Sequence, residues 1–307
     1  VGGGRSEVGL FGQRNASAAG TIQSGNSPRR ASSGIPEVSV TLACHSVFIR
    51  SVTYARRGET GQKGAQMIAP DFVIETEKSR EEVEAEMRKL EPWRVHVTFS
   101  NGFETSELET IQPWNPHPLN KLRMLMEHAG EDVFQSARVL DIGFNAGYNS
   151  IALTQQYGCD VVGVDNNPLN LRKAEALTAM AGVAPKFLIA DAQEFTDEPF
   201  DVVLHLGTLY HLEEPVRSMR TAAANLKPGG WLFLETVGYN GTDPLDARMI
   251  YGFFGDKTNF WALGEGALRV MLELAGFTDT QVIRTVDLKI YEGTGLNRII
   301  LSARKAD

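Results

Sequence analysis

From residue 137 onward, strand-length apolar runs alternate with helix-length segments. This alternation restricts the fold more than any other feature of the 307-residue chain. Val139-Leu140-Asp141-Ile142 reads as a strand and 146–156 as a helix. Val161-Val162-Gly163-Val164-Asp165 is a second strand, followed by a helix over 168–181 with Pro168 at its start, where a missing N–H costs nothing. Strands are expected at 186–190, 200–206 and 231–237, and helices at 214–226 and 266–275. Pro228-Gly229-Gly230 is read as the stop between the helix 214–226 and the next strand. Alternating βα units imply a parallel sheet with helices on both faces. The runs 280–286 and 298–303 have no helix between them, so they are expected to pair antiparallel.

Upstream the texture differs. Residues 1–66 hold 11 Gly and 9 Ser and little helical periodicity, so they are expected to be a disordered or non-native leader, with Met67 the natural start. Residues 67–114 read as an extension carrying a helix and a hairpin. Ser79-Arg80-Glu81-Glu82 is a capping box, and Val83, Met87 and Leu90 follow on one helical face. Val95-His96-Val97-Thr98-Phe99 has strand alternation, and Asn101-Gly102 is a hairpin-turn pair. A further helix is expected near 119–128.

Charge and cysteine usage narrow the function classes. The leader carries eight Lys/Arg against three Asp/Glu; with −8 for the whole chain, residues 67–307 come to −13. An acidic body of that charge is a poor default partner for polyphosphate. No run approaches the roughly 18 apolar residues of a spanning helix, so no membrane association is expected. Two cysteines, Cys44 and Cys159, make neither a disulfide scaffold nor a four-cysteine metal site. No metal is expected, and the setting is expected to be cytoplasmic.

The candidate ligand site begins at Asp141-Ile142-Gly143-Phe144-Asn145-Ala146-Gly147, where the first strand turns into the first helix. Ligands of open parallel sheets bind beyond the carboxyl ends of the strands. The dinucleotide fingerprint G-x-G-x-x-G is not met: Asn145 stands at its second glycine and Tyr148 at its third. The carboxylate of Asp141 would repel a pyrophosphate and attract a ligand carrying an ammonium and a sulfonium, as S-adenosylmethionine does. Asp165, 22 residues after Gly143, ends the second strand where an acid can accept ribose hydroxyls, with Asn166 beside it. Asp191-Ala192 follows the third strand and suits the adenine amino group; Leu206 ends the fourth. Each acid alone would pass for an N-cap; three at successive strand ends make a constellation.

These motifs, with Phe200-Asp201-Val202-Val203, resemble those of Rossmann-like S-adenosylmethionine-dependent methyltransferases over residues 115–305. The resemblance implies an α/β fold: a Rossmann-like seven-stranded, mostly parallel sheet whose last strand is antiparallel, within a methyltransferase domain at 115–307. It also implies S-adenosyl-L-methionine as cofactor. A narrower likeness, to the tRNA wobble-uridine carboxymethyltransferase group, rests on Trp114, Gly207-Thr208-Leu209-Tyr210-His211, Leu234-Glu235-Thr236, Ala275-Gly276-Phe277 and the run 297–304. In that group a Tyr, an Arg and a Lys hold the extra carboxylate of carboxy-S-adenosylmethionine. Tyr210 and Arg298 match two of them, and Asn101 aligns with the lysine, which favours plain methyl transfer; the loop length differs by one residue, so Asn120 and Lys121 are the alternative positions on the donor side.

Tyr210 and His211 follow the fourth strand and are the catalytic candidates, His211 as proton acceptor; the alternative is that His211 caps or packs against the next helix. The insertion between Val237 and Gly264 is dense in aromatics, and Tyr251, Phe254 and Trp261 are read as an acceptor wall together with Trp114, Tyr210 and Arg298. With only Arg248 and Lys257 as cations there, a small, partly apolar acceptor is expected, tRNA being the alternative. A non-catalytic module that retains the cofactor pocket is the other alternative.

Overall fold

The structure is a computed structural model, and it describes residues 72–108, 118–287 and 291–307. The expected leader and Trp114 lie outside the described residues.

The sheet grows from β1 (Arg138–Ile142), which pairs in parallel with β2 (Asp160–Asp165) on one side and β4 (Phe200–Leu206) on the other. β3 (Lys186–Ile189) extends it beyond β2, and β5 (Leu226–Tyr239) beyond β4, all parallel. β9 (Leu296–Lys305) then lies antiparallel between β5 and β8 (Phe277–Val286). These seven strands, the last of them antiparallel to its neighbours, are the expected sheet. Two short strands enlarge it to nine: β6 (Ala247–Met249) and β7 (Trp261–Leu263) form a hairpin that joins the end of β5 at Gly238.

The central strands β1, β2 and β4 are buried on both faces, so helices cover both. On one face α2 (Pro118–Ala129), α3 (Tyr148–Tyr157) and α4 (Pro168–Ala181) pack Leu122, Leu125, Ile151 and Leu177 with Val139, Val161 and Val202. On the other, α5 (Pro215–Ala224) and α6 (Glu265–Leu274) set Met219, Ala222, Leu268 and Leu272 against Leu140, Val162 and Val203. The α1 helix (Arg80–Arg88) begins at Ser79 with both hydrogen bonds of the capping box in place. Its Val83 and Met87, with Trp93, Val97 and Phe99, join the same core as Val139 and Val202. The residues that read as an extension therefore complete one face of the sheet.

Two local expectations are corrected. Residues 95–99 alternate buried and half-buried, yet they form only the isolated bridges Ile74↔Phe99 and Thr98↔Glu104. The turn at Asn101-Gly102 closes so soon, with the Phe99 N–H donating to Phe103 O, that no ladder develops. Pro228-Gly229-Gly230 does not separate helix from strand: β5 already starts at Leu226, opposite Phe200, and the register shifts between there and the Val202↔Trp231 pair. A bulge absorbs the breakers that would have ended a regular ladder.

Candidate active site

The loop after β1 is built around backbone conformations that few side chains accept. Gly143 has φ +74°, and a Cβ there would stand 2.0 Å from Thr208 Oγ1. Gly147, φ +75°, caps α3 and would meet Phe187 at 2.5 Å. Asn145 also has positive φ, 53°, and its N–H donates to Asp165 Oδ2 at 3.0 Å. Asp165 further accepts from the Asn167 N–H and the Asn170 side chain, each at 2.9 Å. These bonds fix the carboxylate at the end of β2 and leave it lone pairs for a ligand.

Asp141 is buried and accepts from Ser150 Oγ at 2.7 Å. Burial pushes its carboxyl up to about 6, against the Ser150 bond and with help from Asp165. A bound cation nearby would relieve that strain on the ionised form. Asn149 Oδ1, on the same helix as Ser150, is buried without a partner among the described residues. Two acids, an orphaned acceptor and a glycine kept clear of side chain fit a cationic nucleoside such as S-adenosylmethionine. Asp191 holds its own turn, accepting from the Gln193 N–H at 2.8 Å, and is exposed at the end of β3 with Ala192 half-buried beside it. Asn166 is exposed next to Asp165.

A cleft of about 210 Å³ brings together Gly143, Asn145, Leu206, Tyr210, His211 and Arg298 from the sequence candidates. It also contains Lys121, the sequence alternative to Asn101, and Arg94, which the sequence reading passed over. Lys121 Nζ bonds Glu235 Oε2 at 2.6 Å, and Arg298 Nη1 bonds Glu235 Oε1 at 3.0 Å. Arg298 Nη2 donates to the Tyr210 hydroxyl at 3.3 Å, with the guanidinium 4.7 Å from the ring centre. The Glu235 side chain is 1% exposed; burial raises its carboxyl, but Lys121 and Arg298 outweigh this and the net shift is downward. Two cations share one carboxylate, so the cluster keeps a net positive charge. Asn101, by contrast, is not in the cleft: its Nδ2 donates to Lys78 O and its Oδ1 receives the Phe103 N–H. A charged residue in the middle of an apolar strand, as in Leu234-Glu235-Thr236, was the available sign that cations converge there.

His211 sits on the short turn Leu209–His211 after β4, half-buried, its ring 4.0 Å from that of Tyr210. Its Nδ1 lies 3.1 Å from Thr258 O and 3.0 Å from Thr258 Oγ1, whose hydroxyl donates to Asp256 Oδ1 at 2.6 Å. A carbonyl only accepts, so Nδ1 carries the hydrogen and Nε2 keeps its lone pair. Burial lowers the imidazole below its ordinary value, which keeps it neutral near pH 7. His205 bonds Ser218 Oγ at 2.9 Å inside β4 and lies away from the cleft.

The aromatic wall is assembled differently from the sequence reading. Tyr251 is 59% exposed and borders a groove on the outer side of the β6–β7 hairpin. Trp261 is paired with Met249 in that hairpin, packs against the α6 side of the core and donates to Glu213 O at 3.3 Å. Neither ring lines the cavities that His211 borders; Ile250, Val237 and Tyr291 stand there instead. Of Phe254 only the backbone is described.

Residues 116–282 match the family described as a methyltransferase domain, more than half of the chain. The chain belongs to this methyltransferase family. Among curated relatives, a tRNA U34 carboxymethyltransferase of Aeromonas hydrophila is 28% identical over 211 residues, 67% of this chain and 62% of that one. A ubiquinone biosynthesis O-methyltransferase of Bordetella avium is 33% identical over 139 residues, covering 41% of this chain and 56% of its own. The chain thus spans about three fifths of the length of the curated relatives it matches. The N-terminal domain of EvdMO1, solved with SAH bound, superposes with a TM-score of 0.59 at 23% identity, covering 74% of this chain and 98% of that one, and shares the fold. No helix among the described residues is long and apolar enough to cross a membrane.

Proposed function

We propose that the chain moves a methyl group from S-adenosylmethionine to a small-molecule acceptor. The observation that carries this reading is the neutral His211, its Nε2 unprotonated, lining both the cofactor cleft and the larger cavity beyond it. When bound, the cofactor supplies a sulfonium-activated methyl group. Asp165 and the Gly143–Gly147 loop would hold its nucleoside, and Asp141 and Asn149 would complement its cationic portion. Tyr210 and Arg298 fix the wall where the two cavities meet. His211 Nε2 takes the acceptor's proton, and the Thr258 carbonyl steadies the ring as it becomes charged. Alignment of donor and acceptor supplies much of the remaining rate. Cys159 is a buried free thiol whose pKa burial raises to about 11, and such an inert thiol suits the cytoplasmic setting proposed for the chain.

A second reading is favoured by one contact. Lys121 stands with Tyr210 and Arg298 in the cleft, so the cation missing at Asn101 is supplied from α2. That trio suits a carboxylated donor, because a desolvated anion needs such partners. The tRNA acceptor of the carboxymethyltransferase relatives would then come forward as well.

Labelled S-adenosylmethionine offered with a metabolite extract, and separately with bulk tRNA, tests the acceptor. Label in small molecules is the expected result; label only in tRNA would overturn it. Competition between S-adenosylmethionine and its carboxylated form tests the donor. Tighter binding of the carboxylated form, lost in Lys121→Met, would replace the first reading by the second.

A further inference from the structure

Past Tyr210 and His211 a second cavity, of about 530 Å³, opens beside the cofactor cleft. Val237 and Ile250 give it an apolar side, while Arg94, Lys257 and Asn259 line the rest. Its polar atoms are particular about what they can receive. Asn259 is buried; its Nδ2 donates to Phe253 O at 2.8 Å, and its Oδ1 has no partner among the described residues. His211 Nε2 carries a lone pair. Tyr210 accepts from Arg298, which leaves its own O–H to donate. Arg298 Nε is buried without a partner among the described residues. The residues lining this cavity thus carry both donors and acceptors, which suits a ligand rich in hydroxyl groups, since a hydroxyl can serve either kind.

The charges point the same way. Arg94 and Lys257 make no ion pair among the described residues. Arg298 and Lys121 share the single carboxylate of Glu235, and Asp256 is tied to the Thr258 hydroxyl and amide. Around the second cavity three cations, Arg94, Lys257 and Arg298, therefore face the carboxylates of Asp256 and, behind Arg298, Glu235, in a chain whose net charge is −8. Local positive charge in an acidic protein concentrates an anion where the fold as a whole repels one.

We infer that this cavity binds a small hydroxylated anion, a polyol bearing a carboxylate or a phosphate, with its acidic group between Arg94 and Lys257 and a hydroxyl facing His211. That this anion is the methyl acceptor rests on the methyl-transfer reading of the cleft. Its binding does not.

Thermal shift measurements on the whole chain separate the two. The probes are D-glucuronate, D-glucose 6-phosphate and uncharged D-glucose, with S-adenosylhomocysteine measured alone in parallel. At least one anionic probe is expected to raise the melting temperature, D-glucose is not, and Arg94→Gln/Lys257→Gln should weaken the anion about tenfold, as for a loss of about 1.4 kcal/mol. Both side chains are exposed, so the double variant retains its core. No stabilisation by either anion, equal stabilisation by D-glucose, or an undiminished effect in the double variant would overturn the inference. Failure of S-adenosylhomocysteine alone to stabilise would remove the methyltransferase reading and leave the anion result standing.

Discussion

His211 Nδ1 lies 3.1 Å from the backbone carbonyl oxygen of Thr258, and this contact decides which nitrogen of the ring can accept a proton. Because the carbonyl is an acceptor, Nδ1 must donate, and the lone pair resides on Nε2 at the junction of the two cavities. The partner belongs to the segment between β6 and β7, 47 residues further along the chain.

His211→Gln should reduce turnover by roughly 10²–10⁴-fold, the usual worth of a general base, with S-adenosylhomocysteine affinity unchanged. In the wild type the buried imidazole titrates below its ordinary 6.5. Turnover should therefore be full at neutral pH and fall as the pH drops below about 6.5 and Nε2 is protonated. Steady-state rates against pH for both proteins check this. An acid limb of the same shape in His211→Gln would assign the proton to another group.

Glu235→Gln should destabilise the fold by about 3–5 kcal/mol, because Lys121 and Arg298 would keep buried positive charge with no carboxylate between them. Lys121→Met should cost less, since Arg298 keeps its bond to Glu235. Urea midpoints for the three proteins rank them. Equal stability of Glu235→Gln and wild type would show that the cations have other counter-charges.

His205 gives stability a pH dependence of its own. Burial lowers its imidazole from 6.5 to about 4 in the native state. Between those values the unfolded chain takes up a proton that the native chain refuses, so stability falls as pH falls through that window. The full loss, reached below about 4, is at most about 3 kcal/mol. His205→Asn should flatten this part of the curve of urea midpoint against pH; an unchanged slope would place the titration elsewhere.

How far the sequence could be read depended on how local each signal was. Ser79 and Glu82 are three residues apart, and their capping box is present as expected. Pro168 opens α4 and Ala181 ends it, because a proline start and the glycine at 182 are near-neighbour effects. Asp165 and Gly143 were legible because strand ends and loops follow from alternation. Pro228 misled, since its effect was cancelled by pairing of Leu226 with Phe200 across the sheet. Lys121 was legible only as an alternative to Asn101: on α2 it looks like one more surface charge, and the fold brings it across 114 residues to Glu235. The aromatic insertion was visible as a feature but not in its facing, which the register of Met249 on Trp261 sets.

The central claim is that the cleft beyond β1 and β2 binds the cofactor's nucleoside through Asp165. Titration calorimetry of S-adenosylhomocysteine against wild type, Asp165→Asn and Asp165→Ala tests it most directly. The account predicts binding to the wild type and a loss of about 1.5–3 kcal/mol in Asp165→Ala, ten- to a hundredfold in affinity, with Asp165→Asn between them. Unchanged affinity in an Asp165→Ala protein that is folded by circular dichroism, or no binding to the wild type, would contradict it.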